Sequence, residues 1–312
     1  MIEHPVFLVG AERSGTTLLR LMLDHHPMIA WLNEFEYAVD MVDDSGRPPA
    51  LGTYTAWLEQ HRIFGATGFS IDPEHDYRGL VHSFLEQRRM REQKQLIGAT
   101  VHRHFDRLLH FFPGARFIHL IRDPRDVAPS VIKMGWAGNV YSACSAWVEA
   151  ERVWDSIEGE IEAERFVQIR YEELLAHPER ELTKACGLIG VEYDPAMLDF
   201  HEDTSYQPPD ASASQRWKKT LSDKQITLIE SRCAEILQRR GYECINEQPM
   251  HPSAIKKIWL AVDNKLGRAH ARIRKFGFSL WIRSMIFRRI SPNGAYPKIK
   301  AQMDEIVRRN LQ

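Results

Sequence analysis

The segment that most constrains the fold is a short loop of small residues, Gly10 to Thr17, which lies between an apolar run and an amphipathic helix. The apolar run, residues 5–9, is typical of a buried strand, and Leu18 to Asp24 has the apolar spacing of a helix. In such a unit the backbone N–H groups of the turn point at one spot, and the helix dipole adds about half a positive charge there. The sequence therefore predicts an anion-binding loop.

The loop differs at one position from the phosphate loop of nucleoside triphosphatases, G-x-x-x-x-G-K-[ST]. Gly10, Gly15 and Thr17 fit that pattern, but Thr16 stands where the lysine would be, and the cation inside the loop is Arg13. Because that lysine reaches the β- and γ-phosphates, its absence argues against γ-phosphate chemistry. The planar fork of an arginine suits a bridging oxygen and its neighbours, as in a phosphosulfate or a short phosphate donor.

Five apolar runs alternate with helical patterns, at residues 5–10, 28–32, 95–100, 115–121 and 165–171. This alternation predicts an α/β protein with a three-layer P-loop-type fold, in which helices flank a central parallel β-sheet. Ligands bind beyond the carboxyl ends of such strands. The Arg13 loop, Glu34 and Arg122 all fall at such ends, so we expect them to converge. The aromatic-rich residues 45–79 read as an irregular or helical insertion that would carry acceptor specificity.

Positive charge is concentrated towards the C-terminal end. The chain has a formal net charge of −1, yet from Lys256 onward fourteen lysines or arginines stand against three acidic residues. We therefore predict an α/β domain, residues 1–248, and a basic helical C-terminal extension, residues 249–312. The extension could contact an acidic partner, an anionic membrane surface or the acidic body of its own chain, and we favour the last. No nucleic-acid partner is expected, and the oligomeric state is left open.

The remaining composition is that of an ordinary globular protein. The four cysteines show no C-x-x-C pair and no metal-ligand spacing, so we expect reduced thiols and no metal. The first apolar run, about six residues, is too short for a secretory signal, and no run approaches the ~20 residues of a membrane span. These features predict a cytoplasmic protein.

Three segments, GAERSGTTLLRLML, FIHLIRDPRDVAPS and VQIRYEELLAHPERELTKACGLIGV, occur in this order along the chain. Together they resemble the sulfotransferases that use 3′-phosphoadenosine-5′-phosphosulfate (PAPS). The resemblance covers roughly residues 5 to 240 and is closest to the protein-tyrosine and bacterial branch, which carries arginine in the loop. Each motif alone is moderately specific, whereas their combination and spacing are strongly indicative.

The resemblance implies a set of donor-binding residues. The 5′-phosphosulfate would be held by five consecutive loop residues, Arg13, Ser14, Gly15, Thr16 and Thr17. The 3′-phosphate would be bound by Arg122, at a strand end, and by Ser130, eight residues later. A further basic loop would close on the same phosphate; Arg216 is the first choice there, with Ser212, Ser214 and Lys218 as alternatives.

The resemblance also implies the catalytic base. In the tyrosyl branch a glutamate lies twenty-one residues after the loop arginine, and this offset from Arg13 leads to Glu34. A carboxylate beside the acceptor hydroxyl can take its proton during transfer. Glu36 is the nearby alternative. The cytosolic branches use a histidine just before the arginine-bearing strand, where this chain has His102 and His104. Neither falls at the family spacing to Arg122, so His102 ranks second as a base. The related enzymes usually have a lysine in the segment that corresponds to residues 97–104, and this chain has none there. His102 or Arg103 would replace its positive charge, or Arg13 alone would stabilise the transferred group.

We therefore expect a PAPS-dependent sulfotransferase that acts on an acceptor hydroxyl of a small molecule, glycan, lipid or peptide. Two alternatives stay open. A P-loop kinase or nucleotide hydrolase would bind ATP with Mg²⁺, and a non-catalytic nucleotide- or membrane-binding protein would work through the basic extension.

Overall fold

A five-stranded parallel sheet forms the centre of the fold in the computed structural model, which describes residues 2–246, 251–292 and 294–309. The strands are β1 (Val6–Val9), β2 (Ile29–Leu32), β3 (Leu96–Val101), β4 (Arg116–Ile121) and β5 (Phe166–Arg170). Their order in the sheet is β2-β3-β1-β4-β5, and every neighbouring pair is parallel. The chain therefore places its first strand in the middle of the sheet.

The strand sequences explain why both faces of the sheet are covered. Every residue of β1 and β2 is buried, and β3 and β4 are buried beyond their first residue. Near-continuous apolar runs of this kind belong to parallel strands with helices on both faces. The register pairs Val6 with both Gly98 and Arg116, so β1 is bonded on both edges.

Fifteen α-helices are found among the described residues. In the first half of the chain they are α1 (Thr16–His25), α2 (Leu51–Gln60), α3 (Arg62–Thr67), α4 (Tyr77–Glu92), α5 (Leu108–Phe111), α6 (Pro124–Lys133), α7 (Val140–Ala143) and α8 (Ser145–Glu158). In the second half they are α9 (Tyr171–Ala176), α10 (Pro178–Ile189), α11 (Trp217–Thr220), α12 (Asp223–Arg239), α13 (Ala254–Phe276), α14 (Phe278–Ile290) and α15 (Ala295–Arg309). The predicted insertion at 45–79 thus contains the helices α2 and α3.

The hydrophobic core packs α1, α9 and α10 against the sheet through aliphatic side chains such as Leu19, Leu23 and Leu182. An aromatic cluster joins Phe7 of β1 to Phe35, Phe112 and Phe117 at ring-centroid distances of 5.3 to 6.2 Å. Edge-to-face and offset pairs at such distances are favourable beyond the area they bury. The predicted α/β fold with a central parallel sheet and a C-terminal helical extension is confirmed.

Contacts divide the chain into two compact units. The first unit comprises residues 1–127, 145–221 and 235–243, and it contains the whole sheet. The second comprises residues 128–144, 222–234 and 244–312, and it contains α13 to α15. The boundary predicted between residues 248 and 249 lies outside the described residues, so that domain division stays a prediction. None of the described helices is long and apolar enough to cross a bilayer.

Candidate active site

The loop after β1 has a backbone shape that requires glycine at two positions. Gly10, Arg13 and Gly15 have φ angles of 142°, 72° and 99°. A Cβ atom on Gly10 would lie 2.3 Å from the backbone oxygen of Leu120 in β4, and one on Gly15 would lie 2.2 Å from Cδ2 of Tyr171. The two glycines therefore allow the loop to pack directly on the neighbouring strand and on the Tyr171 ring.

The loop opens into α1 with features that suit an anion. Among the described residues no side chain caps the N-terminus of α1, whose N-cap residue is Gly15, so the first N–H groups of the helix are available to a ligand. Ser14 is 0 % exposed, and its Oγ has no hydrogen-bond partner among the described residues. A buried hydroxyl without a partner costs free energy unless a ligand binds it. The residues present therefore fit a bound phosphate or sulfate group.

A cavity of about 330 Å³ adjoins the N-terminal turn of α1. Four of the predicted site residues line it, since Thr16, Thr17, Glu34 and His102 all face this space. The other lining residues are Arg20, Leu32, Asn33, Arg62, Ile63, Ala66, Thr67, Phe69, Arg88, Arg91 and Thr100. The cavity therefore joins the loop helix to the ends of β2 and β3 and to the helical insertion.

Glu34 lies two residues beyond the end of β2 and is exposed. Its neighbour Asn33 accepts a 2.7 Å hydrogen bond from Nη1 of Arg20, one turn into α1. This contact ties the segment after β2 to the loop helix. Glu34 itself lines the cavity.

His102 follows β3 and is held by two hydrogen bonds. Its Nδ1 lies 3.1 Å from the carbonyl oxygen of Gly10, and its backbone N–H donates to Oε1 of Glu36 at 2.9 Å. Because a carbonyl oxygen only accepts, the ring proton belongs on Nδ1, which leaves Nε2 as the acceptor nitrogen. Burial lowers the pKa of His102 and favours the neutral ring.

Glu36, the alternative base, occupies a different environment from Glu34. It is 4 % exposed and does not line the cavity. Burial raises the pKa of Glu36 to about 7, although the hydrogen bond from His102 acts in the opposite direction. In the loop itself, burial also raises the pKa of Glu12, with His102 lowering it. Two carboxyl groups with raised pKa values therefore lie close to His102.

Arg122 lies just beyond β4, beside the anion-binding loop. Its guanidinium stacks on the ring of Tyr171 at 4.2 Å from the centroid, and this is the ring that Gly15 contacts. Its Nε is buried without a hydrogen-bond partner among the described residues, and it forms no ion pair there with Asp123 or Asp126. The guanidinium therefore retains donors for a ligand.

The segment that carries Arg216 is anchored beside Arg122. Trp217 N–H donates to Oδ1 of Asp126 at 2.9 Å, and the guanidinium of Arg125 lies 3.8 Å from the centre of the Trp217 ring. Arg125 also forms a buried ion pair with Asp123 at 2.8 Å. Burial raises the pKa of Tyr171, whereas the charges of Arg122 and Arg216 lower it. Both arginines thus act on the same ring.

The remaining predicted residues are less informative. Ser130 lies in α6, in the second unit, and its predicted contact with the 3′-phosphate stays a prediction. Arg103, a candidate for the missing cation, is committed to Asp40 through two hydrogen bonds of 2.7 and 2.8 Å.

Two side chains of the site went unnoticed in the sequence. Tyr171 connects the loop to Arg122, and its position at the carboxyl end of a predicted strand was the available signal. Arg20 lies four residues after Thr16 and three after Thr17, a spacing that puts all three on one helix face. That spacing could have identified Arg20 as a lining residue.

The sequence and fold define the class of protein. Residues 5–195 match the profile described as the Sulfotransferase family, which is more than half of the chain, and the chain belongs to this family. Protein-tyrosine sulfotransferase A of Caenorhabditis elegans is 22 % identical over 76 % of this chain and 67 % of its own length. Omega-hydroxy-beta-dihydromenaquinone-9 sulfotransferase of Mycobacterium tuberculosis is 24 % identical over 79 % of this chain and 77 % of its own length.

Solved structures agree on the fold. The sulfotransferase domain from the curacin biosynthetic pathway superposes with a TM-score of 0.56 and 18 % identity, over 78 % of this chain and 99 % of that domain. The sulfotransferase domain of a Synechococcus olefin synthase gives a TM-score of 0.51 and 22 % identity, over 73 % and 94 % of the two chains. The predicted membership of the sulfotransferases is confirmed.

Proposed function

We propose that this sulfotransferase uses PAPS as donor and transfers its sulfuryl group to an acceptor hydroxyl, giving a sulfate ester and adenosine 3′,5′-bisphosphate. One observation carries the proposal: the turn that follows the anion-binding loop, Glu34 and His102 line one cavity. A donor anion at the loop and a hydroxyl in the cavity would then meet beside a carboxylate and an imidazole.

The donor would occupy two basic regions connected by Tyr171. Arg13, the Oγ of Ser14 and the uncapped N-terminus of α1 would bind the 5′-phosphosulfate. Arg122, with Ser130 and Arg216, would bind the 3′-phosphate. The buried Nε of Arg122 that lacks a partner among the described residues supports this assignment. We expect no metal to take part in the transfer, and this expectation stays a prediction.

The side chains would act in a single in-line step. The acceptor oxygen forms its bond to sulfur while the bond from sulfur to the bridging phosphate oxygen breaks. Glu34 takes the acceptor proton, and the Arg13 guanidinium stabilises the negative charge that develops on the bridging oxygen. By analogy with the loose transition states of phosphoryl transfer, positioning and electrostatic stabilisation supply most of the rate.

Glu34 is the favoured base, and His102 is the second choice. Glu34 presents its carboxylate at the cavity wall, whereas Glu36 is buried and accepts a backbone hydrogen bond. In His102 the contact with Gly10 leaves Nε2 unprotonated, so this nitrogen could accept a proton as well. If Glu34 is the base, its replacement by glutamine should inactivate the enzyme; if His102 is the base, its replacement by alanine should do so.

The acceptor is proposed to carry an anionic group near its hydroxyl. Among the described residues that line the cavity there are four arginines and one carboxylate, that of Glu34. Arg88 is neutralised by Asp24 and Glu92, whereas Arg62 is exposed. The names of the two relatives give a protein tyrosine and a hydroxylated menaquinone as acceptors, which supports a hydroxyl acceptor here.

Thermal-shift titration tests the choice of donor. Adenosine 3′,5′-bisphosphate should raise the melting temperature without added Mg²⁺, because the donor sites use arginine and backbone N–H groups. If only ATP with Mg²⁺ stabilises the protein, the kinase alternative replaces this proposal. Labelled PAPS with panels of peptide, lipid and small-molecule acceptors, with and without acidic groups, then identifies the acceptor.

Substitution tests the base. Glu34→Gln should lower turnover about 10²- to 10⁴-fold while leaving the thermal shift by adenosine 3′,5′-bisphosphate unchanged. Glu59→Gln, at an exposed position in α2 outside the cavity, is the matched control and should be fully active. An active Glu34→Gln enzyme together with an inactive His102→Ala enzyme would assign the role to histidine.

A further inference from the structure

Helix α13 carries an apolar stripe that faces solvent. Its side chains follow helical spacing on one face and comprise Ile255, Ile258, Trp259, Val262 and Leu266. Ile255, Trp259 and Leu266 are 71 %, 66 % and 66 % exposed. A contiguous exposed apolar stripe is unusual on a soluble surface and marks an interaction site.

The opposite face of α13 is already occupied within the second unit. Leu260 is 7 % exposed, and Oδ1 of Asn264 accepts a 2.7 Å hydrogen bond from the backbone N–H of Gly138. A Cβ on Gly267 would lie 2.5 Å from Cα of Gly138, so the two backbones are in direct contact. The helix is therefore held by one face, and the apolar stripe is left on the other.

Basic side chains flank the stripe. Lys256 lies along one side, and Lys265 and Arg272 lie along the other, all of them exposed. Across residues 254–290 there are ten lysines or arginines and one acidic residue, Asp263, which is engaged by Asn139. Helix α14 adds the exposed apolar residues Phe278, Met285, Ile286 and Ile290.

We propose that α13 docks on an anionic lipid surface, with its apolar stripe in the interface and its lysines and arginines against the headgroups. The charge fits a bilayer that contains acidic lipid, and a tryptophan among aliphatic residues suits the headgroup boundary. No described helix can span a membrane, so α13 would lie in the plane of the surface. The proposal is independent of the proposed sulfuryl transfer.

Vesicle co-sedimentation of the full chain tests the proposal without any measurement of catalysis. The chain should bind vesicles of phosphatidylcholine with phosphatidylserine and should not bind vesicles of phosphatidylcholine alone. Added salt should weaken the binding, because the attraction of exposed charges is screened. Failure to bind the acidic vesicles would overturn the proposal.

Two double variants separate the apolar and charged contributions. Lys265→Glu with Arg272→Glu should reduce binding at least about 30-fold, since each basic residue near an acidic surface contributes about 1 kcal/mol. Trp259→Ser with Leu266→Ser removes two apolar side chains of the stripe and should abolish co-sedimentation with the acidic vesicles. Arg152→Glu with Lys224→Glu makes the same charge change at two exposed sites outside α13 and α14, and this control should bind more tightly than the first variant.

The alternative occupant is a second copy of the chain. In that case sedimentation velocity without vesicles would show a dimer, and the Trp259→Ser, Leu266→Ser variant would be a monomer. This result would mean that the stripe binds a second copy of the chain and not a lipid surface. Vesicle binding that is equal in the wild type and in both test variants would also refute the proposal. Circular dichroism melting of each variant verifies that the chain remains folded.

Discussion

Replacement of Gly10 by alanine should destabilise the first unit and displace the anion-binding loop. Gly10 has a φ of 142°, and the new Cβ would lie 2.3 Å from the backbone oxygen of Leu120. This oxygen belongs to β4, the strand that is paired with β1, so it cannot move without disturbing the sheet.

The magnitude follows from two contributions. A φ region that is essentially restricted to glycine costs about 1–3 kcal/mol, and overpacking of a well-packed site costs about 1–3 kcal/mol. The free energy of unfolding should therefore fall by about 2–6 kcal/mol, a large fraction of the ~5–15 kcal/mol typical of native proteins. At about 2–4 °C per kcal/mol for a domain of 150–250 residues, the melting temperature should fall by roughly 4–24 °C.

The assay is thermal unfolding of the variant, with and without adenosine 3′,5′-bisphosphate. Gly187→Ala is the matched control, because this glycine lies inside α10 and a Cβ there meets no atom within 4 Å. The control should gain about 0.5–1 kcal/mol from the better helix former. If Gly10→Ala melts like the wild type and binds the nucleotide equally well, the reasoning about this loop is refuted.

Three further predictions concern charged side chains. Burial raises the pKa of Glu36 from an ordinary value of 4.5 to about 7, so the folded state holds the proton of this carboxyl group more tightly than the unfolded state does. The stability that this proton contributes is present below pH 4.5 and is lost as the pH rises from 4.5 to 7. In urea unfolding, Glu36→Gln should remove up to about 3 kcal/mol of this pH dependence of the free energy of unfolding. An unchanged pH dependence would contradict this. In calorimetry the wild type should bind adenosine 3′,5′-bisphosphate about 10- to 150-fold more tightly than adenosine 5′-monophosphate, and Arg122→Ala should abolish this difference in affinity. An unaltered difference would exclude Arg122 from the 3′-phosphate site. Arg240→Met should lower the free energy of unfolding by about 3–5 kcal/mol, because it leaves the buried Glu151 with His119 alone; Arg239→Met, at a half-exposed ion pair, should cost at most about 1 kcal/mol.

The sequence predicted the five strands within about one residue, since each is a continuous apolar run between helical segments. It did not give their order in the sheet. The pairing of β1 with β3 and β4 depends on residues about 90 and 110 positions away, and apolar runs of similar composition carry no register signal.

In the site, too, the features that depend on neighbouring residues could be predicted from the sequence, and those that depend on residues far along the chain could not. The residue types of the loop identify an anion-binding turn, and the offset from Arg13 leads to Glu34, with Glu36 as the alternative two residues further on. Which glutamate is exposed depends on Phe35, whose backbone N–H donates to the carbonyl of Thr100 at 2.9 Å, and on the backbone of His102, which binds Glu36. These partners lie more than sixty residues further along the chain, so local spacing could not separate Glu34 from Glu36.

The central position of β1 has a consequence for biosynthesis. Its residues are bonded on both edges only when β3 and β4 are present, and β4 ends at Ile121. At roughly 5–20 residues per second, more than 110 residues require about 5–25 s of translation. For most of that time β1 has neither partner strand on the nascent chain, and until β4 is complete it can be bonded on one edge only, so its four apolar residues are available to a ribosome-associated chaperone.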